Sequence, residues 1–482
     1  MTDLTLLTDL YQLTMACGYW KAGIADRRAV FHLFFRRPPF GGAYAVAAGL
    51  EDALSYLEGL HFEADELAYL ESLEGADGEP RFPKAFVESL ASFRCELDIE
   101  AMPEGTVAFP HEPLLRVEGP LIQAQLVETT LINLVGFQTL IASKAARIGD
   151  VARSASGERE TVLEFGLRRA HGPDGGLSAS RAAFIGGAHA TSNVLAGKRY
   201  GIPVRGTHAH SWVMAYGSER EAFETYADAF PGGSVFLVDT YDTLEGVRIA
   251  CEVGTELRAK GHEMVGVRLD SGDMAKLSIG ARAILDDAGF PEAKIVASSN
   301  LDERKIATMK AEGAKVDVWG VGTRMTTAYD QPSLNAVYKL GAVRETAEGE
   351  WEYRMKVSST PAKRSIPGRL KVRRFRKGSE WIADAIYDEE LGLSDGPLVG
   401  PETGTTRTVP ADAEGEELLV PVMKAGARIG DPVPLTVARE RAIASVDALP
   451  TELRAIETQT RHFVGIDAEL SAIRERITEE HS

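Results

Sequence analysis

The stretch RGTHAHSWVM at residues 205–214 sets His208 and His210 two apart, between Thr207 and Ser211. Neutral imidazoles bind metals, move protons and attack as nucleophiles. Three readings are therefore open: a metal pair, a histidine acting as acid, base or nucleophile, and two satisfied polar side chains beside a core. VRLDSGD gathers Arg268, Asp270 and Asp273 around Ser271 and Gly272. Two carboxylates three apart beside an arginine suit a divalent cation held near a phosphorylated substrate, or the stabilisation of developing positive charge. Ordinary turn chemistry is the plainer reading of Asp-Ser-Gly alone. EFGLRR offers Glu164 with Arg168 and Arg169, whose forked donors can hold phosphate or carboxylate; a surface salt-bridge cluster is the alternative. ASSN and WGVGT bring Ser298, Ser299 and Asn300, then Gly320, Gly322, Thr323 and Arg324. Small residues opening a helix present backbone N–H groups to an anion.

Each of these clusters closes a short apolar run. TVLEFGLRR, IPVRGTHAHS, SVFLVDTYDT, MVGVRLDSGD, KIVASSN and VDVWGVGT recur with helical stretches between them. Their apolar centres at Val204, Phe236, Val265, Ile295 and Val318 are 32, 29, 30 and 23 residues apart. That rhythm predicts parallel strands joined by crossover helices. An irregular (β/α) barrel over residues 131–339 is the expected catalytic domain, with its chemistry at the C-terminal strand ends. A doubly wound open sheet satisfies the same rhythm. ETTLINLVGFQTLIASKAARIGDVA reads as a long, mostly buried helix leading into it.

Upstream, TLLTDLYQLTMACGYWKAG reads as a helix capped by Thr5 or Thr8. AVFHLFF reads as a strand, AVAAGLEDALSYLEGL as a second helix, and residues 94–122 as a small antiparallel region. Beyond residue 335 the βα rhythm stops. RETAEGEWEYRMKVSS, RLKVRRFRKGSEWIADAIYDEE and GEELLVPVMKAGARIG read as strands and hairpins. The tail from Thr451 reads as one amphipathic helix through Leu453, Ile456, Phe463, Leu470 and Ile473. The two ends of the chain are expected to build a flanking α+β domain, residues 1–130 completed by 340–482.

The 482 residues are 44% hydrophobic and 26% charged, a balance with ample material for cores. No apolar run approaches the roughly 18 residues of a membrane span. The start MTDLTLLTDLYQ lacks a basic region and carries Asp3 and Asp9, so it is not read as a signal peptide. Cys17, Cys95 and Cys251 are far apart and in no CxxC pair, which suits a reduced cytoplasmic protein. A net charge of −18 argues against nucleic acid as the main partner. A small phosphorylated substrate stays open, provided the site gathers its own cations and N–H groups.

The ordered motifs resemble those of the nicotinate phosphoribosyltransferase family. The resemblance runs through LLTDLYQLTMACGYWKAG, FFRRPPFGGAYAVAAGLEDAL, EFGLRRAHGPDGG, GTHAHSW, RLDSGD, SSNLDE, GVGT and QPSLNAVYKL, over roughly residues 4–370. It implies that nicotinate attacks C1 of 5-phosphoribosyl 1-diphosphate, forming nicotinate mononucleotide and pyrophosphate in NAD salvage, coupled to ATP hydrolysis. By motif position His210 is the implied phosphohistidine, catalytic together with Asp270 and Glu164. Tyr11 and Thr207 are implied contacts of nicotinate, with Arg268 facing its carboxylate or stacking near the ring. Arg168, Asp270, Ser298, Asn300, Gly322 and Thr323 are implied to hold ribose, Mg²⁺-pyrophosphate and 5-phosphate, with Asp270 and Asp273 as the candidate Mg²⁺ ligands. His208 sits at the variable position and is expected to be incidental, while Ser211 can orient the ring. A homodimer is implied, with Tyr11 of one subunit reaching the barrel of the other.

Three alternatives follow from the same residues. The sister nicotinamide enzyme carries an aspartate where Asn193 stands, so Asn193 is the expected specificity residue favouring the acid. A metal-dependent barrel hydrolase would use His208, His210 and Asp270. A non-catalytic relative that only binds nucleotides would have no need of the AHS and RLDSGD motifs together.

Overall fold

A computed structural model describes residues 4–346 and 348–481. The chain divides into two compact units, one of residues 1–140 with 333–482, the other of residues 141–332. Both are mixtures of helix and sheet, so the fold is mixed α/β.

In the first unit the two ends of the chain share one sheet. The apolar strand Arg28–Phe35 pairs antiparallel with Ala336–Arg344 on one side and with Leu115–Pro120 on the other. Asp98–Ala101 and Val420–Lys424 extend this sheet. The six-stranded second sheet belongs wholly to the C-terminal segment and centres on the hairpin Leu370–Lys377 and Glu380–Asp388. Two local expectations fail here. The first helix is Leu10–Lys21 and its N-cap is Asp9; Thr5 and Thr8 instead donate to the carbonyls of His61 and Leu126. The tail is not one helix. A short turn Thr451–Arg454 precedes the strand Val464–Ile466, and the helix proper is Ala468–Glu480. The spaced apolar residues that mimic one amphipathic face are divided between the short turn (Leu453), the irregular stretch before the strand (Ile456, Phe463) and the final helix (Leu470, Ile473), so periodicity misled.

The second unit holds a six-stranded parallel sheet. Its order is Ala190–Thr191, Thr161–Glu164, Val318–Val321, Lys294–Ser298, Gly266–Leu269, Val235–Leu237. Five of the six expected runs form strands. The sixth, around Val204, shrinks to a single parallel bridge with Thr191. The two-residue strand Ala190–Thr191 had no apolar run to announce it. Crossover helices such as Thr243–Ala259 and Met274–Asp287 join the strands. Among the described residues no backbone ladder joins the outer strands. The segment 203–208 nevertheless meets both of them: Thr191 exchanges backbone bonds of 3.0 Å with Pro203 and Arg205, and His208 Nε2 accepts from Leu237 N–H at 3.2 Å. No helix among the described residues is long and apolar enough to cross a membrane.

Candidate active site at the parallel strand ends

Arg268 is the hub of the site. Its strand pairs with Val235–Leu237 on one side and Lys294–Ser298 on the other, which sets its guanidinium among the ends of three strands. Nε donates to Ser298 Oγ at 2.9 Å. Nη1 donates to Thr207 Oγ1 at 2.9 Å and to the His208 carbonyl at 3.4 Å. Nη2 donates to Asp270 Oδ1 at 3.2 Å, and Ser298 Oγ donates to that same oxygen. One Nη2 hydrogen is left for a ligand. Phe165 lies under this hub, its ring centroid 5.9 Å from the guanidinium carbon. The ring fits because residue 320 is glycine: a Cβ there would stand 2.8 Å from it.

Asp270 turns its other oxygen toward His210, with Oδ2 3.9 Å from Nε2. His210 Nδ1 lies 3.1 Å from Thr240 Oγ1, and its side chain is 40% exposed. One nitrogen is thus held and the other faces open space beside a carboxylate. Asp239 fixes the loop from behind: its Oδ2 accepts from Asp270 N–H at 2.8 Å and Ser271 Oγ at 2.6 Å. Its Oδ1 is buried without a hydrogen-bond partner. Sequence reasoning missed Asp239 and Thr240. Their signal was an aspartate closing SVFLV at the same point where Asp270 closes its own strand.

His208 is neither a metal ligand nor incidental. It is buried, its ring 4.7 Å from that of Tyr226 and 6.1 Å from that of Phe223. Because Nε2 accepts the Leu237 N–H, the proton of the neutral ring resides on Nδ1, which lies 3.4 Å from the Ala209 carbonyl. Burial, aided by the nearby charges of Arg268 and His210, pushes its pKa down to about 4. With both nitrogens spent, the hydrolase set of His208, His210 and Asp270 does not converge. Among the described residues no group of three His, Cys, Asp or Glu side chains can hold a metal.

Glu164 and Asn193 come together, but in a buried knot rather than at an open site. Glu164 accepts from Gly166 N–H, from Ser180 Oγ at 2.9 Å and from Thr191 Oγ1 at 2.6 Å. Asn193 caps the helix Val194–Tyr200 by accepting from Ala196 N–H, and its Nδ2 donates to Ser180 Oγ and the Gly176 carbonyl. Neither presents a free polar atom, so the geometry makes Glu164 an anchor of the strand end and Asn193 a helix cap.

Known proteins decide what this site belongs to. Residues 6–136 match the model of the nicotinate phosphoribosyltransferase (NAPRTase) N-terminal domain and residues 161–377 that of the nicotinate phosphoribosyltransferase (NAPRTase) family. A nicotinate phosphoribosyltransferase of Bacillus subtilis is 49% identical over 81% of this chain and 77% of its own. That of Homo sapiens is 36% identical over 97% and 95%. The chain belongs to the nicotinate phosphoribosyltransferase family. The crystal structure of human nicotinic acid phosphoribosyltransferase superposes with a TM-score of 0.82 at 34% identity, covering 98% of this chain and 99% of that one.

A nicotinate phosphoribosyltransferase must grip a phosphorylated ribose, and several predicted residues stand open for it. Arg168 is exposed on the turn Leu167–Arg169, and its guanidinium has no protein partner among the described residues. Asn300 is exposed at a strained strand end, where Ser299 and Asn300 have φ of 97° and 48°. Such backbone, unusual for residues other than glycine, clusters at ligand sites. Gly322 and Thr323 open the short helix Thr323–Thr326. Arg324 is already paired with Asp302 at 3.0 Å, so it is not available. Asp273 does not join Asp270: it caps Met274–Asp287, accepts from Lys276 N–H and pairs with Lys276 Nζ at 2.9 Å. That lysine holds its carboxyl below the usual range. Tyr11 belongs to the other unit and is 48% exposed there.

Proposed function

We propose that this chain joins nicotinate to 5-phosphoribosyl 1-diphosphate, releasing pyrophosphate, and couples the reaction to ATP hydrolysis through a phosphate carried on His210. The observation that carries the coupling is the asymmetry of the His210 ring: Nδ1 against Thr240 Oγ1, Nε2 open beside Asp270 Oδ2. With the proton on Nδ1, donated to the hydroxyl, the Nε2 lone pair attacks the terminal phosphorus of ATP. The P–O bond to the β-phosphate breaks and ADP leaves with the electron pair. Water later cleaves the P–N bond, releasing phosphate and restoring the neutral ring. A phosphate next to Asp270 changes the charge at the strand ends, which is how it can alter affinity for substrate and product.

In the main reaction the pyridine nitrogen attacks C1 as the C1–O bond to pyrophosphate breaks. The chain's task is positioning and charge stabilisation rather than strong base catalysis. Arg268 offers its remaining N–H to the nicotinate carboxylate and Phe165 a ring face, while Thr207, which accepts from Arg268 and donates to the His208 carbonyl at 3.2 Å, steadies the guanidinium beside them. Arg168, Asn300, Gly322 and Thr323 lie open for ribose and phosphate. For Mg²⁺ the donor set fits in part: Asp270 Oδ2 is free of hydrogen bonds, while Asp273 is committed to Lys276. A single carboxylate suffices when the cation arrives on a diphosphate, since Mg²⁺ is commonly held by one or two carboxylates plus substrate phosphates. When bound it would neutralise charge on the departing pyrophosphate.

The same reading includes an irregular barrel, its gap bridged by segment 203–208, and a homodimer in which Tyr11 of one copy completes the nicotinate site of another. Three free cysteines suit a reducing cytoplasm. The test is acid-labile labelling from γ-labelled ATP. Wild type takes up label and forms nicotinate mononucleotide; His210→Ala takes up none and its ATP-coupled gain is lost. Equal labelling of the two proteins refutes the phosphohistidine.

A further inference from the structure

The unit built from the two chain termini carries a cavity of about 620 Å³. Arg36, Arg37, Arg407 and Arg461 line it, together with His111 and His462. We propose that this cavity is a second ligand site and that it takes a small anion bearing one or more phosphate groups.

The first argument is charge. In a chain of net charge −18, four guanidinium groups share this cavity with one carboxylate, Glu402, among the described residues. Glu402 is already committed, 2.7 Å from His111 Nε2. The carboxyls beneath do not offset the rest. Asp384 is fully buried and bound by Arg374, with Nη2 at 2.6 Å, and by His462 Nε2 at 3.0 Å. Glu112 is also fully buried and faces the same Arg374, 3.8 Å from Nη2, and burial beside the Asp384 charge pushes its carboxyl well above the usual range.

The second argument is unspent donors. Arg36 and Arg37 make no hydrogen bond or ion pair among the described residues, and Arg36 Nε is buried without a partner. A buried donor without a protein partner is satisfied by a water, an ion or a ligand. Arg407 spends Nη1 on the Ile382 carbonyl while its guanidinium lies 4.6 Å from the Phe463 ring centroid. Arg461 spends Nη1 on the carbonyls of Thr458 and Thr460. Each keeps the rest of its fork, a planar set of donors that matches phosphate oxygens in pairs. Thr403 and Thr405 add hydroxyls to the wall.

The third argument is preorganisation. His462 is clamped by Asp384, with its ring 4.4 Å from that of Phe109. His111 is held in the left-handed region at φ 74°, a cost that surrounding structure sustains at binding sites. The volume is that of a small-molecule site.

Isothermal titration with inorganic pyrophosphate, and separately with ATP, tests this on the full-length chain. Wild type is expected to bind pyrophosphate at two sites per chain. Arg407→Gln/Arg461→Gln and Arg37→Gln are each expected to weaken one of them at least tenfold. Asp270→Asn is expected to keep the cavity site and lose the strand-end site. Tight ATP binding retained by Asp270→Asn would identify a nucleotide as the source of the phosphate; pyrophosphate binding alone would identify an inorganic one. The replaced arginines are exposed, and Arg37 has no partner to lose, so Arg37→Gln decides if the double variant fails to fold. Wild-type stoichiometry and affinity in Arg37→Gln, or loss of all binding in Asp270→Asn, would overturn the proposal.

Discussion

Replacing His208 separates its role from that of His210 within one turn of chain. His208→Ala removes a buried ring and the acceptor of Leu237 N–H. Losing the ring costs roughly 2–3 kcal/mol, scaled down from larger aromatic truncations. The orphaned backbone N–H adds about 1–3 kcal/mol. The expected destabilisation is about 4 kcal/mol, measured as a shift of the urea midpoint at unchanged slope. His208→Phe isolates the second contribution: the volume is kept and only the acceptor is lost, so about 1–3 kcal/mol is expected. Both variants should still take up label from ATP under conditions where they are folded, because Nε2 of His210 is untouched.

The same ring makes stability depend on pH. Folded, it stays neutral down to about pH 4, whereas an unfolded histidine takes its proton near 6.5. Between those values the unfolded chain binds more protons, so stability falls on acidification, with no further loss from this group below pH 4. The upper bound is about 3 kcal/mol, reduced to about 2 by the solvent still reaching the ring. His32 in the other unit acts in the same direction, its pKa lowered to about 3 by burial while its Nε2 accepts from Leu370 N–H. His208→Phe should remove its own share of the acid loss and leave that of His32. A His208→Phe protein as stable as wild type at pH 7, with an unchanged acid slope, would refute the account.

Two further substitutions set the observed geometry against the implied roles. Asn193→Asp keeps the helix cap, because Asp caps as well as Asn, but it puts a carboxylate against the Gly176 carbonyl. Stability should fall by about 1–2 kcal/mol while the preference for nicotinate over nicotinamide stays within about threefold; a reversed preference would restore Asn193 as the specificity residue. Asp273→Asn likewise retains a cap and should leave kcat/KM within about threefold, whereas Asp270→Asn should lower it by at least about 100-fold. Equal losses in the two would show that Asp273 does share the cation.

The parallel sheet was legible because six apolar runs, five of which form its strands, each end in polar residues, with centres 23 to 32 residues apart from Val204 onward. Where the signal was thin the reading failed for identifiable reasons. Ala190–Thr191 is too short to show a pattern, and the run ending at Val204 contributes one bridge because its neighbours turn into the GTHAHS loop. In the tail, Phe463 and Ile473 fall at helical spacing by coincidence, while Val464–Ile466 pairs in parallel with Asp384–Ile386, a contact some eighty residues away that no local window contains.

Within the site, residue type marked where polar groups cluster but not how their polar atoms are used. Asp270 and Asp273 are indistinguishable in RLDSGD; Lys276 claims one, while Arg268 and Ser298 hold the other by a single oxygen and leave the second free. His208 and His210 are equally alike in sequence. Leu237 N–H meets the first and Thr240 Oγ1 the second, and both come from the strand and loop that begin at Val235. The parallel register between Val235–Leu237 and Gly266–Leu269 fixes which of the two rings bridges the sheet's gap and which keeps a nitrogen exposed. Chemistry at this strand end is therefore decided by partners about thirty residues distant, which is why a motif can name the histidine while only the packing of neighbouring strands explains why that one is free to react.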